Sequence, residues 1–267
     1  MNKDIWWLIF VLIIIGIVWS VQFKGGGLVP SGPSSDMPPE GNPPVEISPP
    51  AVPPDQNDKS KEPKIRINQG GAFQSKAEEE YIVLENIDFE EKQTITLSDL
   101  TLKNRSKETI RIGKDENGNN IILKYGESAV IVSGESPISQ NFKLNKCSGY
   151  LNQRADFTPY IISFCPQLKD RADTKNLNNR CLDYLDSLQQ CFLPTLNADT
   201  DINAECAQFV SQHASYAGCV TDYKNDEGFD KKEWRIFLGR AAELWNDKRE
   251  TIQLLDASGN LIAEISY

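Results

Sequence analysis

Six cysteines dominate the chemistry that this chain of 267 residues could perform. They share one 73-residue window as Cys147, Cys165, Cys181, Cys191, Cys206 and Cys219. Zinc binding and thiol redox exchange both favour closely spaced pairs such as C-x2-C. Here 17, 15, 9, 14 and 12 residues separate successive cysteines. An even number at these spacings predicts three structural disulfides, and with them an oxidising compartment outside the cytoplasm.

Two helices are predicted to carry four of these cysteines. Residues 177–192 and 203–218 place apolar side chains at helical spacing. The first helix should begin near Asn178 and stop before Pro194, and Gly218 should end the second. A loop of about ten residues between them predicts an antiparallel helical hairpin.

The hairpin predicts which cysteines pair, because facing positions in an antiparallel pair have a nearly constant sum. The sums nominate Cys191 with Cys206 and Cys181 with Cys219, which leaves Cys147 with Cys165. This is one of fifteen possible connectivities. A bond between Cys181 and Cys191 is excluded for a continuous helix, because they would lie roughly 15 Å apart, beyond the reach of a disulfide.

The remaining residues suggest no catalytic site. His213 is the only histidine, lies on the apolar face of the second helix and should be a partly buried structural imidazole. The motifs of serine hydrolases, zinc proteases and P-loop enzymes do not occur, so we expect neither an enzyme nor a cofactor. Residues 199–210 and 222–233 only faintly resemble calcium loops and should serve in loops and helix caps. Asp230 and Glu233 would cap a helix there.

An apolar run from Ile5 to Phe23 predicts a transmembrane anchor over residues 1–24. At about 1.5 Å per residue it spans roughly 28 Å, enough to cross a hydrocarbon core. Trp6, Trp7 and Trp19 lie near its ends, where indoles favour the membrane interface. A cleaved signal peptide is the alternative, but its apolar region would be shorter and a small-x-small cleavage site would follow.

Residues 25–63 predict a disordered, proline-rich linker, since they hold eleven of the fifteen prolines and almost no aromatic residue. Repeated Pro-Pro pairs favour polyproline II, so the segment should act as a semi-rigid stalk reaching about 120 Å. A docking site for a PxxP-reading domain is the alternative. The net charge of −10 argues against nucleic acid as a partner.

The remainder, residues 64–267, begins and ends with short alternating segments typical of strands. Residues 110–112 and 121–123 flank Asp115-Glu116-Asn117-Gly118-Asn119, and residues 251–255 and 261–266 flank Asp256-Ala257-Ser258-Gly259-Asn260. Both patterns predict β-hairpins. Short strands at this spacing suggest a β-sandwich, interrupted by a cysteine-rich helical insertion at 147–232.

Three stretches resemble the lamin tail domain family. The family's opening strand is resembled by Glu80-Tyr81-Ile82-Val83-Leu84-Glu85-Asn86, and its second sequence signature by Ile95-Thr96-Leu97-Ser98-Asp99-Leu100-Thr101-Leu102. Its closing hairpin is resembled by Leu244-Trp245-Asn246 with 251–261 and Tyr267. Asp99 and Leu100 replace a usual glycine and tryptophan. The resemblance covers residues 64–134 and 234–267. It implies an immunoglobulin-like sandwich and an interaction role.

These features together predict a mainly β, single-pass membrane protein with an extracytoplasmic C-terminal domain. We expect a non-catalytic binding or structural module of the cell envelope. Its partners would be the membrane, through the N-terminal helix, and an envelope protein or polysaccharide. The alternatives are an enzyme accessory or divergent hydrolase domain, with a cleft built by the insertion, and a thiol-active assembly factor.

Overall fold

The computed structural model describes residues 64–162, 164–197 and 200–267. The predicted anchor with Trp6, Trp7 and Trp19 and the predicted linker at 25–63 lie outside the described residues. Among the residues that are described, none of the helices is long and apolar enough to span a bilayer.

The described residues are mainly β, as predicted. They form eleven strands: β1 Ile65–Asn68, β2 Tyr81–Asn86, β3 Ile95–Thr96, β4 Thr101–Lys103, β5 Thr109–Arg111, β6 Ile122–Leu123, β7 Ser128–Val132, β8 Phe142–Asn145, β9 Asp230–Phe237, β10 Thr251–Leu255 and β11 Leu261–Ser266. A five-stranded sheet has the order β1-β2-β7-β9-β8, and a four-stranded sheet has the order β11-β10-β4-β5. The short strands β3 and β6 pair with each other. All ladders are antiparallel except that between β7 and β9.

Alternation along the strands brings both large sheets to one apolar core. Ile82 and Leu84 of β2 and Leu102 of β4 are fully buried in the same cluster. Ile252 and Leu254 of β10 join them. Each such side chain contributes about 1.5–3 kcal/mol when it leaves water. The core therefore holds residues 64–134 and 234–267 together across the intervening insertion.

Glu80, directly before β2, is a fully buried carboxylate that connects distant parts of the chain. It accepts hydrogen bonds from the backbone N–H groups of Leu244 at 2.6 Å and Trp245 at 3.0 Å, and from the hydroxyl of Ser133. Burial raises the pKa of Glu80 above its ordinary value, and these hydrogen bonds offset only part of that effect. Glu80 therefore fixes the segment before β10 against the start of β2.

Glu250, directly before β10, behaves in the opposite way. Burial alone would raise its pKa, but hydrogen bonds from Asn246, Arg105 and Thr251 outweigh burial and lower it. The donors are the three backbone N–H groups and the side-chain amide of Asn246. Glu250 thus stabilises the fold in its charged form.

The two predicted turns form in the same way. Asp115 Oδ1 accepts from the backbone N–H of Asn119 at 2.7 Å, and Asp256 Oδ1 accepts from that of Asn260 at 2.8 Å. Gly118 and Gly259 adopt positive φ, which explains the glycine in each turn. The β10–β11 hairpin is confirmed. The predicted hairpin of residues 110–112 with 121–123 does not form, because β5 pairs with β4 and β6 pairs with β3.

The described part of the insertion contains three α-helices instead of the predicted two helices: α1 Asn179–Ser187, α2 Ala204–His213 and α3 Tyr216–Tyr223. Asn178 and Asn203 cap α1 and α2, since each side chain accepts from a cysteine N–H three residues later. Gly218 was predicted to end the second helix, but it lies inside a third one, which Ser215 caps. A Cβ at Gly218 would lie 2.2 Å from the carbonyl oxygen of Gln212, so glycine allows the close turn from α2 to α3.

All six cysteines form disulfides, but the predicted pairing is wrong. The bonds are Cys147–Cys219, Cys165–Cys191 and Cys181–Cys206, where Cys191–Cys206, Cys181–Cys219 and Cys147–Cys165 were expected. The prediction required Cys191 to lie on the first helix. That helix ends at Ser187, and Cys191 follows it with a φ of 59°. Cys181 and Cys206 instead occupy the first turns of α1 and α2, so their bond joins the two helix N-termini.

The insertion packs on the outer face of the five-stranded sheet. Arg235 and Phe237 of β9 point away from the central core, as does Phe142 of β8, which pairs with Arg235. Phe157 and Ile161 of the insertion cover this face, and the Phe142 and Phe157 rings meet edge to face with centroids 5.9 Å apart. The expected helix after Asp230 is wrong, because residues 230–237 form β9 between two other strands.

The two buried glutamates predict opposite pH effects. The raised pKa of Glu80 means that its contribution to stability is present below about pH 4.5 and is lost as pH rises through the raised value. Melting temperatures of wild type and Glu80→Gln should be measured across this range. The melting temperature of wild type should fall relative to that of the variant as pH rises. Glu250→Gln is the matched control. Its difference from wild type should grow as pH rises, because the lowered pKa of Glu250 makes the charged form stabilising. Equal trends for both variants would contradict this assignment.

Disulfide mapping tests the crossed connectivity directly. Non-reducing digestion at basic, acidic and aromatic residues should release linked fragments containing Cys165 with Cys191 and Cys181 with Cys206. Removing the Cys147–Cys219 bond, which closes a loop of 72 residues, should cost about 4 kcal/mol. Removing Cys181–Cys206, separated by 25 residues, should cost about 3.5 kcal/mol. A fragment linking Cys191 to Cys206 would contradict the structure.

Candidate functional site

The segment before Cys165 presents a row of apolar side chains to solvent. Tyr160 is 67% exposed, Ile162 80% and Phe164 75%, whereas Ile161 and Cys165 are each 1% exposed. Alternation therefore buries one set of side chains and exposes the other, although the segment belongs to no sheet. Large apolar side chains are rarely grouped on a surface without an interaction to serve.

Arg235 and Asn152 hold the backbone of this segment. The guanidinium of Arg235, 3% exposed, donates to the carbonyl oxygens of Pro159 and Tyr160 and, at 2.8 Å, to the carboxylate of Glu233. The amide of Asn152 donates to the carbonyl of Ile161 at 2.8 Å and accepts from its N–H at 3.4 Å. Burial lowers the pKa of Arg235, and Glu233 opposes that shift. The exposed side chains thus stand on an anchored backbone.

The Cys165–Cys191 bond brings a second apolar pair beside the first row. Phe192 is 45% exposed and Leu193 46%, and both follow Cys191 directly. Gln153 holds them, since its side chain accepts from the N–H of Leu193 at 2.8 Å and donates to the carbonyl of Cys191. We call the five exposed side chains the apolar ridge: Tyr160, Ile162, Phe164, Phe192 and Leu193.

The apolar ridge comes from two segments without formal charge. Residues 157–168 and 187–197 contain no Asp, Glu, Lys, Arg or His, although a quarter of the whole chain is charged. This signal was visible in the sequence and was overlooked. The Cys165–Cys191 disulfide joins the two segments, so the exposed side chains next to it carry no formal charge.

A groove adjoins the segment at its other end. It has a volume of about 370 Å³ and lies between the turn after β1 and the start of the anchored segment. Its lining residues are Gly70, Gly71, Phe73, Gln74, Glu79, Tyr81, Thr158 and Pro159. A Cβ at Gly70 or Gly71 would lie within 2.9 Å of the Tyr81 ring, so the glycines let backbone pack directly on that ring. No pattern in the sequence indicates this groove, because its lining residues lie far apart in the chain.

His213 takes a structural position on α2, as predicted. Its Nδ1 lies 2.8 Å from Asp222 Oδ2 on α3, and its ring contacts that of Phe209. The guanidinium of Arg171 pairs with the same carboxylate and with Asp173. Hydrogen bonding by Asp173 raises the pKa of Arg171. These contacts fasten α2, α3 and the preceding loop to one another.

The residues of the faint calcium motifs serve other contacts. Asp201 pairs with Arg180 at 2.9 Å, Asn203 caps α2, and Asp222 is occupied by Arg171 and His213. Asp199 lies outside the described residues. Within the described part of the chain, no three His, Cys, Asp or Glu side chains are grouped so as to hold a metal ion.

The chain matches no family model, and no curated protein or solved structure shows significant similarity to it.

Replacement of Arg235 should loosen the segment beneath the apolar ridge. In Arg235→Met two carbonyls lose their donor and Glu233 loses its partner, which should cost about 2–4 kcal/mol in urea unfolding. Amide hydrogen exchange at residues 158–162 should accelerate. Arg111→Met is the control, because Arg111 is 68% exposed and its pair with Asp99 should contribute about 0–1 kcal/mol. Unchanged exchange at 158–162 in Arg235→Met would show that the guanidinium does not hold the segment.

Proposed function

We propose that this protein is a membrane-anchored, extracytoplasmic, non-catalytic binding module of the cell envelope. Its scaffold would be an immunoglobulin-like sandwich of the lamin tail type, with residues 1–24 as the single transmembrane anchor and 25–63 as the stalk. The three disulfides support an oxidising location. The core shared by the five-stranded and four-stranded sheets supports a sandwich.

The observation that carries the proposal is the apolar ridge. Its aromatic and aliphatic side chains have the composition of interface centres, where tyrosine and phenylalanine are enriched and charge is depleted. The Arg235, Asn152 and disulfide contacts hold its backbone before any partner binds, which lowers the entropy cost of association. An envelope protein with an uncharged apolar surface is the partner that fits. Salt should change its affinity little, because the two ridge segments carry no formal charge.

Site-specific photo-crosslinking in the full chain tests the proposal in the producing cells. A photoreactive phenylalanine analogue at position 162, 164 or 192 should capture one and the same envelope protein. The matched control is position 89, because Phe89 is 71% exposed, close to the 75% of Phe164, and lies outside the ridge. Phe164→Ser should reduce capture from position 192 at least about tenfold, which corresponds to about 1.4 kcal/mol.

Three outcomes would contradict a protein partner at the ridge. They are equal capture from position 89, adducts with lipid alone, and adducts with a second copy of this chain alone. Preserved capture in Phe164→Ser would also exclude the ridge as the binding surface. Melting temperatures of the variants show whether each remains folded.

A further inference from the structure

We propose that the groove between the turn after β1 and the insertion binds a neutral glycan. Hydrogen bonds hold both of its walls: the N–H of Gly71 donates to the carbonyl of Tyr81 at 2.9 Å, and the guanidinium of Arg235 donates to the carbonyl of Pro159 on the other side. The hydroxyl of Tyr267 donates to the carbonyl of Ala72 at 2.9 Å. A groove of about 370 Å³ with fixed walls falls in the range of small-ligand sites.

The lining combines aromatic rings with free hydrogen-bonding groups. Phe73 is 49% exposed, and Tyr81 lines the groove beside it. The Gln74 amide, the Thr158 hydroxyl and the Tyr81 hydroxyl make no hydrogen bond with another described residue, yet all three residues line the groove. Sugars offer C–H faces for aromatic rings and hydroxyls for amides and hydroxyls, so this set of groups matches a polyhydroxylated ligand.

The charges of the lining select against other ligand classes. The groove has no lysine or arginine among its lining residues, so nothing there neutralises a phosphate or carboxylate. Its one charged lining residue, Glu79, pairs with Lys76 at 2.7 Å. A net charge of −10 for the whole chain further disfavours anions. An uncharged saccharide meets the aromatic and hydrogen-bonding groups without incurring this repulsion.

The groove also depends on the insertion, because Thr158 and Pro159 form one of its walls. The same Arg235 contacts that anchor the apolar ridge hold that wall. One side of the segment would therefore bind glycan, and the next residues would contact protein. The glycan site does not require the protein partner.

Titration of the oxidised full chain in detergent with cello-, malto- and chito-oligosaccharides tests this site, read by saturation-transfer NMR and calorimetry. We expect binding of at least one series, with Phe73→Ala and Gln74→Ala each weakening it about tenfold. Phe89→Ala should bind as wild type does, since Phe89 lies outside the groove. Phe164→Ser should also bind normally, which separates this test from that of the apolar ridge.

If wild type binds none of the three series, the proposal is overturned. Undiminished binding by both Phe73→Ala and Gln74→Ala would also overturn it. Gly71→Ala provides a second test that removes no aromatic or hydrogen-bonding group from the lining, because its added methyl would only displace the Tyr81 ring. Binding by Gly71→Ala equal to wild type would count against the geometry described. Circular dichroism of every variant shows whether a variant that loses binding is still folded like wild type.

Discussion

Three covalent crosslinks do in the insertion what a large apolar core does in the sheets. Around α1 and α2 the fully buried side chains are few, and two of them are the bonded cysteines Cys181 and Cys206. So small a cluster buries too little apolar surface to order α1 and α2 by itself. Disulfides shift this balance by restricting the unfolded chain. The apolar ridge and one wall of the groove exist only because the insertion is ordered in this way.

Local features of the fold could be predicted from the sequence, and long-range pairing could not. The Asp256–Asn260 turn and the Asn178 cap were expected, since each rests on contacts within five residues. The strand β9 was missed, because residues 230–237 lie between two strands and take their conformation from those neighbours. The predicted disulfide pairing was wrong for a similar reason, since it too depends on contacts between residues far apart in the chain. The apolar spacing through Phe192 favours a longer helix, but the bond to Cys165 holds Cys191 outside it.

The candidate site was only partly visible in the sequence. The two uncharged segments at 157–168 and 187–197 could have been found by inspection, and their disulfide partners would then have suggested one surface. The groove could not have been found, since it joins Gly71 with Pro159, which lie far apart in the chain and outside the strands. Its nearest signal was the Gly70-Gly71 pair, which is explained only by the Tyr81 ring packed against it.

Arg235 explains why the exposed segment faces outward. A guanidinium buried on a sheet face carries a desolvation cost that an apolar residue would avoid. Hydrogen bonds to the guanidinium must therefore compensate that cost. The carbonyls of Pro159 and Tyr160 accept such bonds, because they turn towards the guanidinium. With both carbonyls directed inward and Ile161 buried, the side chains of Tyr160 and Ile162 are left to point into solvent. One buried charge thus determines which face of the segment is available for binding.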